Sequence, residues 1–308
     1  MMGRMSPVGR FAPSPTGTLH LGNLRTALAS WLSSAGAGGR WLVRMEDLDR
    51  VTSSPTHAEA QLADLARIGM RPDGPVVFQS ARFDRYREAI AQLRAAGRVY
   101  ECFCTRREIR EAASAPHGVP LAYPGTCRDL TTRQRGERRG RGRPPALRLR
   151  IDEVIEFDDL VAGRVGGATG DVVLQRNDGV PAYHLAVVVD DADQGVTLVV
   201  RGDDLTASTP AQILLQRLLG LATPAYAHVP LVVGPDGARL AKRHAGATLA
   251  DLARRGIEPP EVLRRLATSL GIGVDVPLEL AALAAAFRWE GIPRTAWTAP
   301  SDLPRSKP

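Results

Sequence analysis

A chain of 308 residues is long enough for one large domain or two modest ones, and 44% hydrophobic with 24% charged residues excludes a disordered tail protein. Forty Lys and Arg against 33 Asp and Glu leave a net charge of +7, which points to a polyanionic partner without naming one; the basic set is arginine except for Lys242 and Lys307, so arginine abundance by itself says little. Cys102, Cys104 and Cys127 are too few for a disulfide framework and favour a metal site or reduced thiols, and without an apolar run near the ~18 residues of a membrane span or an h-region in Met1 to Gly17, a cytoplasmic protein with no membrane attachment is expected.

In chain order, Val8 to Ala12 reads as a strand, Leu21 to Ser34 as a helix, Trp41 to Met45 as a strand, and Thr56 to Ile68 and Phe83 to Ala96 as helices. This βαβα alternation predicts a parallel sheet covered by helices, with ligands at the carboxyl ends of its strands. After the cysteines, Arg128 to Arg150 is rich in Arg, Gly and Pro and reads as an insertion, with Gln134 to Pro145 expected as a solvated loop. Strands return at Val172 to Gln175, Thr197 to Arg201 and His228 to Val233, and beyond Lys242 the pattern is helical over Leu249 to Arg255, Pro260 to Leu270 and Leu278 to Phe287. The expected organisation is a first catalytic half over 1–100, an insertion over 101–170, a second catalytic half over 171–247 and a short helical region over 248–308.

Two segments carry chemistry. Arg10-Phe11-Ala12-Pro13-Ser14-Pro15-Thr16-Gly17-Thr18-Leu19-His20-Leu21-Gly22-Asn23 is a stiff strand-turn-helix junction that delivers His20 to a helix N-terminus, where amide groups and the macrodipole favour anions. Thr18 is the expected N-cap, and Gly22 leaves room for a base or phosphate against the backbone. The second segment, Arg239-Leu240-Ala241-Lys242-Arg243-His244, places one of the two lysines after a strand and a Gly-Pro-Asp-Gly turn, as suits a mobile phosphate contact. No GxxxxGK[ST] sequence occurs, which excludes an ordinary P-loop.

Together these segments resemble the class I aminoacyl-tRNA synthetases: His20-Leu21-Gly22-Asn23 is similar to their HIGH motif and Leu240-Ala241-Lys242-Arg243-His244 to their KMSKS loop. Arg10 to Gly17, Arg44-Met45-Glu46-Asp47-Leu48-Asp49 and Val199-Val200-Arg201-Gly202-Asp203-Asp204-Leu205 narrow the resemblance to the glutamyl and glutaminyl branch, over roughly Gly9 to Ala250. It implies an α/β fold, a Rossmann-type catalytic domain with a zinc-bearing insertion and a short helical C-terminus.

The resemblance also implies roles. Arg10 and Arg201 would bind the two carboxylates of L-glutamate, since a guanidinium fork matches a carboxylate and an uncharged glutamine forfeits the charge-assisted part. Glu46 would meet the ammonium, Tyr183 would supply a wall and a hydroxyl, and Phe11, Ala12, Pro13 and Ser14 would complete the pocket. ATP would bind as its magnesium complex at His20, Gly22, Asn23 and Lys242, with His20 and Lys242 stabilising charge that develops on phosphate. The runs Asp190-Asp191-Ala192-Asp193 and Thr209-Pro210-Ala211-Gln212 also match family segments and are read as helix capping. Ala241 and Ala245 depart from the family's usual Ser and Gly, which bears on loop closure.

Cys102, Cys104 and Cys127 offer three soft ligands where structural zinc takes four. Chemistry alone favours His117 as the fourth, because imidazole binds without losing a proton. The resemblance favours Tyr123, since Tyr123-Pro124-Gly125-Thr126-Cys127 is similar to the family's zinc insertion and a bound cation lowers a phenol's pKa.

About fifty residues follow the resembling region, fewer than an anticodon-binding domain needs. This architecture is similar to the branch that attaches glutamate, without tRNA in the activation step, to the queuosine base of tRNA(Asp). That function, in a monomer, is the expectation; the rivals are a minimal enzyme charging tRNA(Glu) and a non-catalytic paralogue that binds glutamate or tRNA. Replacing Lys242 by Ala is expected to slow adenylate formation strongly with the fold intact, read as glutamate-dependent ATP–pyrophosphate exchange alongside the circular dichroism spectrum.

Overall fold

The structure, a computed structural model, describes residues 6–105, 107–109, 123–234, 236–238 and 248–299. Lys242 with Leu240 to His244, Ala245, and His117 lie outside the described residues.

The first half of the chain runs β1 (Val8–Phe11), α1 (Leu21–Ser33), β2 (Arg40–Met45), α2 (Pro55–Arg67), β3 (Val77–Phe78), α3 (Phe83–Ala95) and β4 (Val99–Cys102). It continues through α4 (Thr132–Gly140), β5 (Ala146–Leu149), β6 (Val154–Asp159), β7 (Gly163–Ala168), β8 (Val173–Gln175), α5 (Tyr183–Asp193), β9 (Leu198–Gly202), α6 (Thr209–Leu219), β10 (Ala225–Val229) and β11 (Val232–Val233). Helices α7 (Leu249–Ala253), α8 (Pro259–Ser269) and α9 (Leu280–Ala286) and the short strand β12 (Trp297–Thr298) follow.

The main sheet has the order β3-β2-β1-β9-β10-β6-β7, parallel except for the terminal β6–β7 hairpin. Strand order reverses between β1 and β9, so the connections leave that point in opposite directions and open a crevice at the strands' carboxyl ends. Alternation along the strands divides two cores. Phe11, Trp41, Val43, Met45, Leu198, Val200, Ala227 and Val229 face one side, against Leu24, Leu28 and Leu32 of α1 and Val262 and Leu266 of α8. Val199, Tyr226, Ile155 and Phe157 face the other, against Ile90 and Leu93 of α3, Leu185 to Val189 of α5 and Ile213 to Leu215 of α6. The C-terminal helices thus share a core with the first strands, and Arg25, buried in α1, ties them together through Ser269 (Nε to Oγ 2.9 Å, Nη2 to the carbonyl 2.9 Å) and the Pro230 carbonyl (2.6 Å).

The segment 101–170 is divided between two sheets. Strands β4, β5 and β8 form a separate antiparallel sheet, while β6 pairs with β10 through Asp159 opposite Tyr226. The reason is in the β6 pattern: Ile155, Phe157 and Asp159 are buried and Val154, Glu156 and Asp158 exposed, which fits one covered face at a sheet edge. Gln134 to Pro145, read above as a solvated loop, begins instead within α4. Its polar composition hid a helix that starts with a reciprocal cap between Thr131 and Gln134 and carries an Arg133–Glu137 pair one turn apart. Strand β12 lies parallel to β11, with Trp297 opposite Val232 and Thr298 opposite Val233.

Candidate active site

At the crevice, parallel-strand alternation carries Arg10 of β1, Arg44 of β2, Arg201 of β9 and His228 of β10 to the face covered by α3, α5 and α6. All four are almost fully buried. Polar residues at inward positions of otherwise apolar strands must be matched by other groups, and here each match defines one wall of the site.

On the first wall, Arg10 donates from Nε to Asp191 Oδ1 (3.1 Å) and from Nη1 to the Val200 carbonyl (3.2 Å). Arg44 reaches the same Asp191 oxygen at 2.8 Å and Gln194 at 2.7 Å, with Glu46 at 3.5 Å. Asp190 is met by Arg82 (2.6 Å), Gln79 (2.8 Å) and the Tyr86 hydroxyl (2.8 Å). Asp190 and Asp191 therefore do not cap α5, as read from the sequence; they lie in its second half and neutralise buried arginines. Burial opposes the charge on Asp191, but Arg10 and Arg44 outweigh it and hold the carboxyl below its ordinary range. Burial raises the Glu46 carboxyl against the pull of Arg44 and Arg10.

Arg201 is arranged differently. Its Nε lies 3.1 Å from His228 Nε2, its Nη2 2.8 Å from Thr209 Oγ1 and its Nη1 3.4 Å from the Tyr183 hydroxyl. Thr209 therefore does not cap α6, as read from the sequence: the cap position is Ser208, and Thr209 instead accepts from Arg201, while Pro210 keeps its place in the first turn of α6.

At the start of α1 the N-cap is His20, not Thr18. His20 Nδ1 accepts from the amides of Gly22 (3.1 Å) and Asn23 (3.3 Å), and the Asn23 side chain accepts from the His20 amide at 3.1 Å. With Nδ1 occupied as an acceptor, the ring proton of neutral His20 resides on Nε2. Gly22 gives the same fold-back its room: a Cβ there would stand 3.0 Å from the His20 ring, which would have to shift.

These parts enclose one cavity of about 420 Å³ lined by Arg10, Phe11, Ala12, Pro13, Ser14, His20, Gly22, Asn23, Glu46, Tyr183 and Arg201, with Thr26, Asp204 and Val229 to Val232 on its rim. Every substrate-side and nucleotide-side residue named from the sequence that the structure describes meets there. The Phe11 ring itself packs on the opposite face, stacked on Trp41. Sequence reasoning assigned no role to Arg44, Asp159 or His228 and gave Asp191 and Thr209 the wrong one; the available signal was a polar residue interrupting Val43 and Met45, or Ala227 and Val229.

The cysteines form a second site at the end of β4. Their sulfurs lie within 4.8 Å of one another, Cys104 and Cys127 at 3.5 Å. The Tyr123 oxygen stands over the triangle, 3.4 Å from Cys102 and 3.8 Å from Cys104, and accepts from the Cys127 amide at 2.8 Å. Hydrogen bonding with Cys127 and with Tyr123 pulls the Cys102 thiol well below its ordinary pKa, while burial pushes Cys104 up. No helix among the described residues is long and apolar enough to cross a membrane.

The family described as tRNA synthetases class I (E and Q), catalytic domain, matches residues 8–294. The chain belongs to this family. The glutamyl-Q tRNA(Asp) synthetase of Nocardia farcinica is 58% identical over 290 residues, 94% of this chain and 92% of its own, and the protein of that name from Symbiobacterium thermophilum is 51% identical over 285 residues, 87% and 88% of the two chains. Among solved structures, the glutamate-tRNA synthetase of Elizabethkingia anophelis superposes with a TM-score of 0.84 at 26% identity, covering 97% of this chain and 69% of that one. The glutamate tRNA ligase of Elizabethkingia meningosepticum, solved in complex with its amino acid, gives 0.82 at 26% identity over 95% and 67%. The class I synthetase fold with its parallel sheet is thus the one expected from the sequence.

In this synthetase site, Asp191 couples charge to stability. A carboxyl held below its unfolded pKa stabilises the fold above that unfolded value, ~3.9, and the contribution is lost as pH falls through the lower folded value. Asp191→Asn leaves Arg10 and Arg44 undercompensated and is expected to cost about 3–5 kcal/mol at pH 7. Urea titrations should show that deficit shrinking toward pH 2.

Proposed function

We propose that this chain activates L-glutamate with Mg-ATP in the absence of tRNA and transfers it to the queuosine base of tRNA(Asp), in the cytoplasm. The observation that carries the reading is the single cavity that joins buried Arg10 and Arg201, Glu46 and Tyr183 to a helix N-terminus capped by histidine. A ligand that fits has two carboxylates and one ammonium beside a polyphosphate. The names of relatives that match most of the chain support the acceptor.

In this reading Arg10 and Arg201 take the carboxylates, with Tyr183, Ser14 and the backbone around Ala12 and Pro13 closing the pocket, and Glu46 takes the ammonium. The glutamate α-carboxylate oxygen attacks the α-phosphorus of ATP, forming the glutamyl adenylate as the bond to pyrophosphate breaks. A hydroxyl of queuosine then attacks the activated carbonyl; its proton leaves, an ester forms and AMP departs. The protein acts by positioning and by stabilising charge. His20 Nε2–H and the Lys242 ammonium donate to phosphate oxygens, and Gly22 and Asn23 shape the nucleotide side.

We also assign a structural zinc ion to Cys102, Cys104, Cys127 and Tyr123. Sulfurs around a tetrahedral ion at ~2.3 Å stand ~3.8 Å apart, close to the 3.5 Å between Cys104 and Cys127, and the nearness of the Tyr123 oxygen to Cys102 and Cys104 supports it as the fourth ligand. The ion would staple β4 to the segment before α4 and takes no part in the transfer.

Two experiments test these assignments. ATP–pyrophosphate exchange with glutamate and no tRNA is expected to proceed; exchange that begins only when tRNA(Glu) is added would make the chain a minimal tRNA(Glu)-charging enzyme, and silence in both a non-catalytic paralogue. Cys104→Ser is expected to lower zinc content from about one ion per chain and to lower the melting temperature; full metal retention refutes the ligand set, and Tyr123→Phe tests the fourth position.

A further inference from the structure

Behind Arg201 runs a buried chain of polar groups across three neighbouring strands. His228 of β10 is the register partner of Arg201 on β9, and Asp159 ends β6 alongside. Asp159 Oδ2 lies 2.6 Å from His228 Nδ1, and His228 Nε2 lies 3.1 Å from Arg201 Nε. Thr209 Oγ1 closes the arrangement, 3.1 Å from His228 Nε2 and 2.8 Å from Arg201 Nη2. The four residues are at most 5% exposed.

Donor chemistry fixes the protons. A guanidinium can only donate, so His228 Nε2 must offer its lone pair to Arg201 Nε–H, and the single ring proton therefore sits on Nδ1 and is donated to Asp159. Asp159 also accepts from the amides of Val161, Ala162 and His228, which hold its carboxylate rigidly. The groups facing the His228 ring are Asp159 from β6, Arg201 from β9, Asp203 from the turn after β9, Thr209 from α6, and the rings of Tyr226 and Phe157. Burial lowers the His228 pKa despite Asp159, in keeping with a neutral ring.

The two substrate-side arginines are thus held from behind by different chemistry. Arg10 Nε meets the carboxylate of Asp191 directly, and its charge is compensated. Arg201 Nε meets a neutral imidazole, with the Asp159 carboxylate on the far side of that ring, and among the described residues no ion pair involves Arg201. Three of its five N–H groups remain for Tyr183 and the cavity.

We propose that His228, anchored by Asp159, is a positioning residue that orients Arg201 without neutralising it, so that Arg201 presents an uncompensated positive charge to the cavity and selects an amino acid with an anionic side chain over its amide. This rests on the reading of the cavity as a glutamate site and adds the device that sets its charge.

The test uses the full chain. Kinetic constants for glutamate and glutamine in tRNA-free exchange are measured for the unmutated protein, His228→Asn, His228→Gln and Asp159→Asn, with a melting temperature for each. The histidine ring nitrogens of the unmutated protein are assigned by NMR. His228→Asn keeps the donor to Asp159 but loses the acceptor for Arg201; it is expected to raise KM for glutamate about tenfold, to change kcat less and to narrow the preference over glutamine. His228→Gln returns an acceptor near the Nε2 position and is expected within about threefold of the unmutated KM. Asp159→Asn should resemble His228→Asn, because an amide that donates to Nδ1 drives the ring proton onto Nε2, against the Arg201 donor.

Equal effects of Asn and Gln at matched melting temperatures, or a loss confined to kcat, would overturn the proposal. So would a His228 ring protonated on Nε2. The NMR result does not depend on activity: an unmutated protein silent toward glutamate with His228 protonated on Nδ1 supports the relay and refutes the proposed substrate.

Discussion

Three guanidinium groups, those of Arg10, Arg44 and Arg201, lie on the covered face of a parallel sheet, and a buried cation has to be met by an acceptor or it unfolds the protein. The rest of the site follows from how that demand is satisfied. Helix α5 enters with Asp190 and Asp191 turned to the sheet, which fixes its rotation about its own axis and so brings Tyr183, at its first turn, to the cavity. Helix α6 enters with Thr209 against Arg201. The counter-groups of the cavity arginines are therefore also the bolts that set the angle of the helices, so the shape of the cavity and the stability of the fold are drawn from the same contacts.

The opposite face is mainly apolar, with the buried Arg25 hydrogen bonds to Ser269 and Pro230 as its polar tie. There α1 lies on Phe11, Val43 and Val200, and the C-terminal helices close over it through Leu266, Leu283 and Phe287. Because α1 is held by this apolar face, its N-terminus is free of any need to pair with the sheet and can be turned over to the His20 cap. A histidine that caps its own helix is held by two amide hydrogen bonds at Nδ1, which orients the ring and its other nitrogen.

Much of the fold was legible because parallel strands and their helices have distinct periods: Val8 to Ala12, Trp41 to Met45 and Thr197 to Arg201 each differ by only a residue or two at either end from the strands they form. The walls of the cavity were legible through the motifs that hold Arg10, Glu46, Tyr183 and Arg201. What was hidden depended on partners far apart in sequence. Asp191 stands 181 positions from Arg10 and Asp159 stands 69 from His228, and nothing local distinguishes such an acid from a cap. The mistake over Gln134 to Pro145 has a different origin: α4 buries no side chain, so the apolar periodicity that marks a helix is absent, and only the Thr131–Gln134 capping box betrays it.

The pairing of β12 with β11 sets an order of events. Val232 lines the cavity, yet the strand that holds it in place, Trp297–Thr298, lies some sixty-five positions later in the chain. On the ribosome, the sheet, the arginines and their acids can all assemble while β11 still lacks its neighbour, and the cavity wall that Val232 forms gains its paired strand only when residue 298 has emerged. A nascent chain that has folded its core is thus not yet a chain with a complete pocket; competence arrives with the last strand, after the point at which domains begin to fold during synthesis.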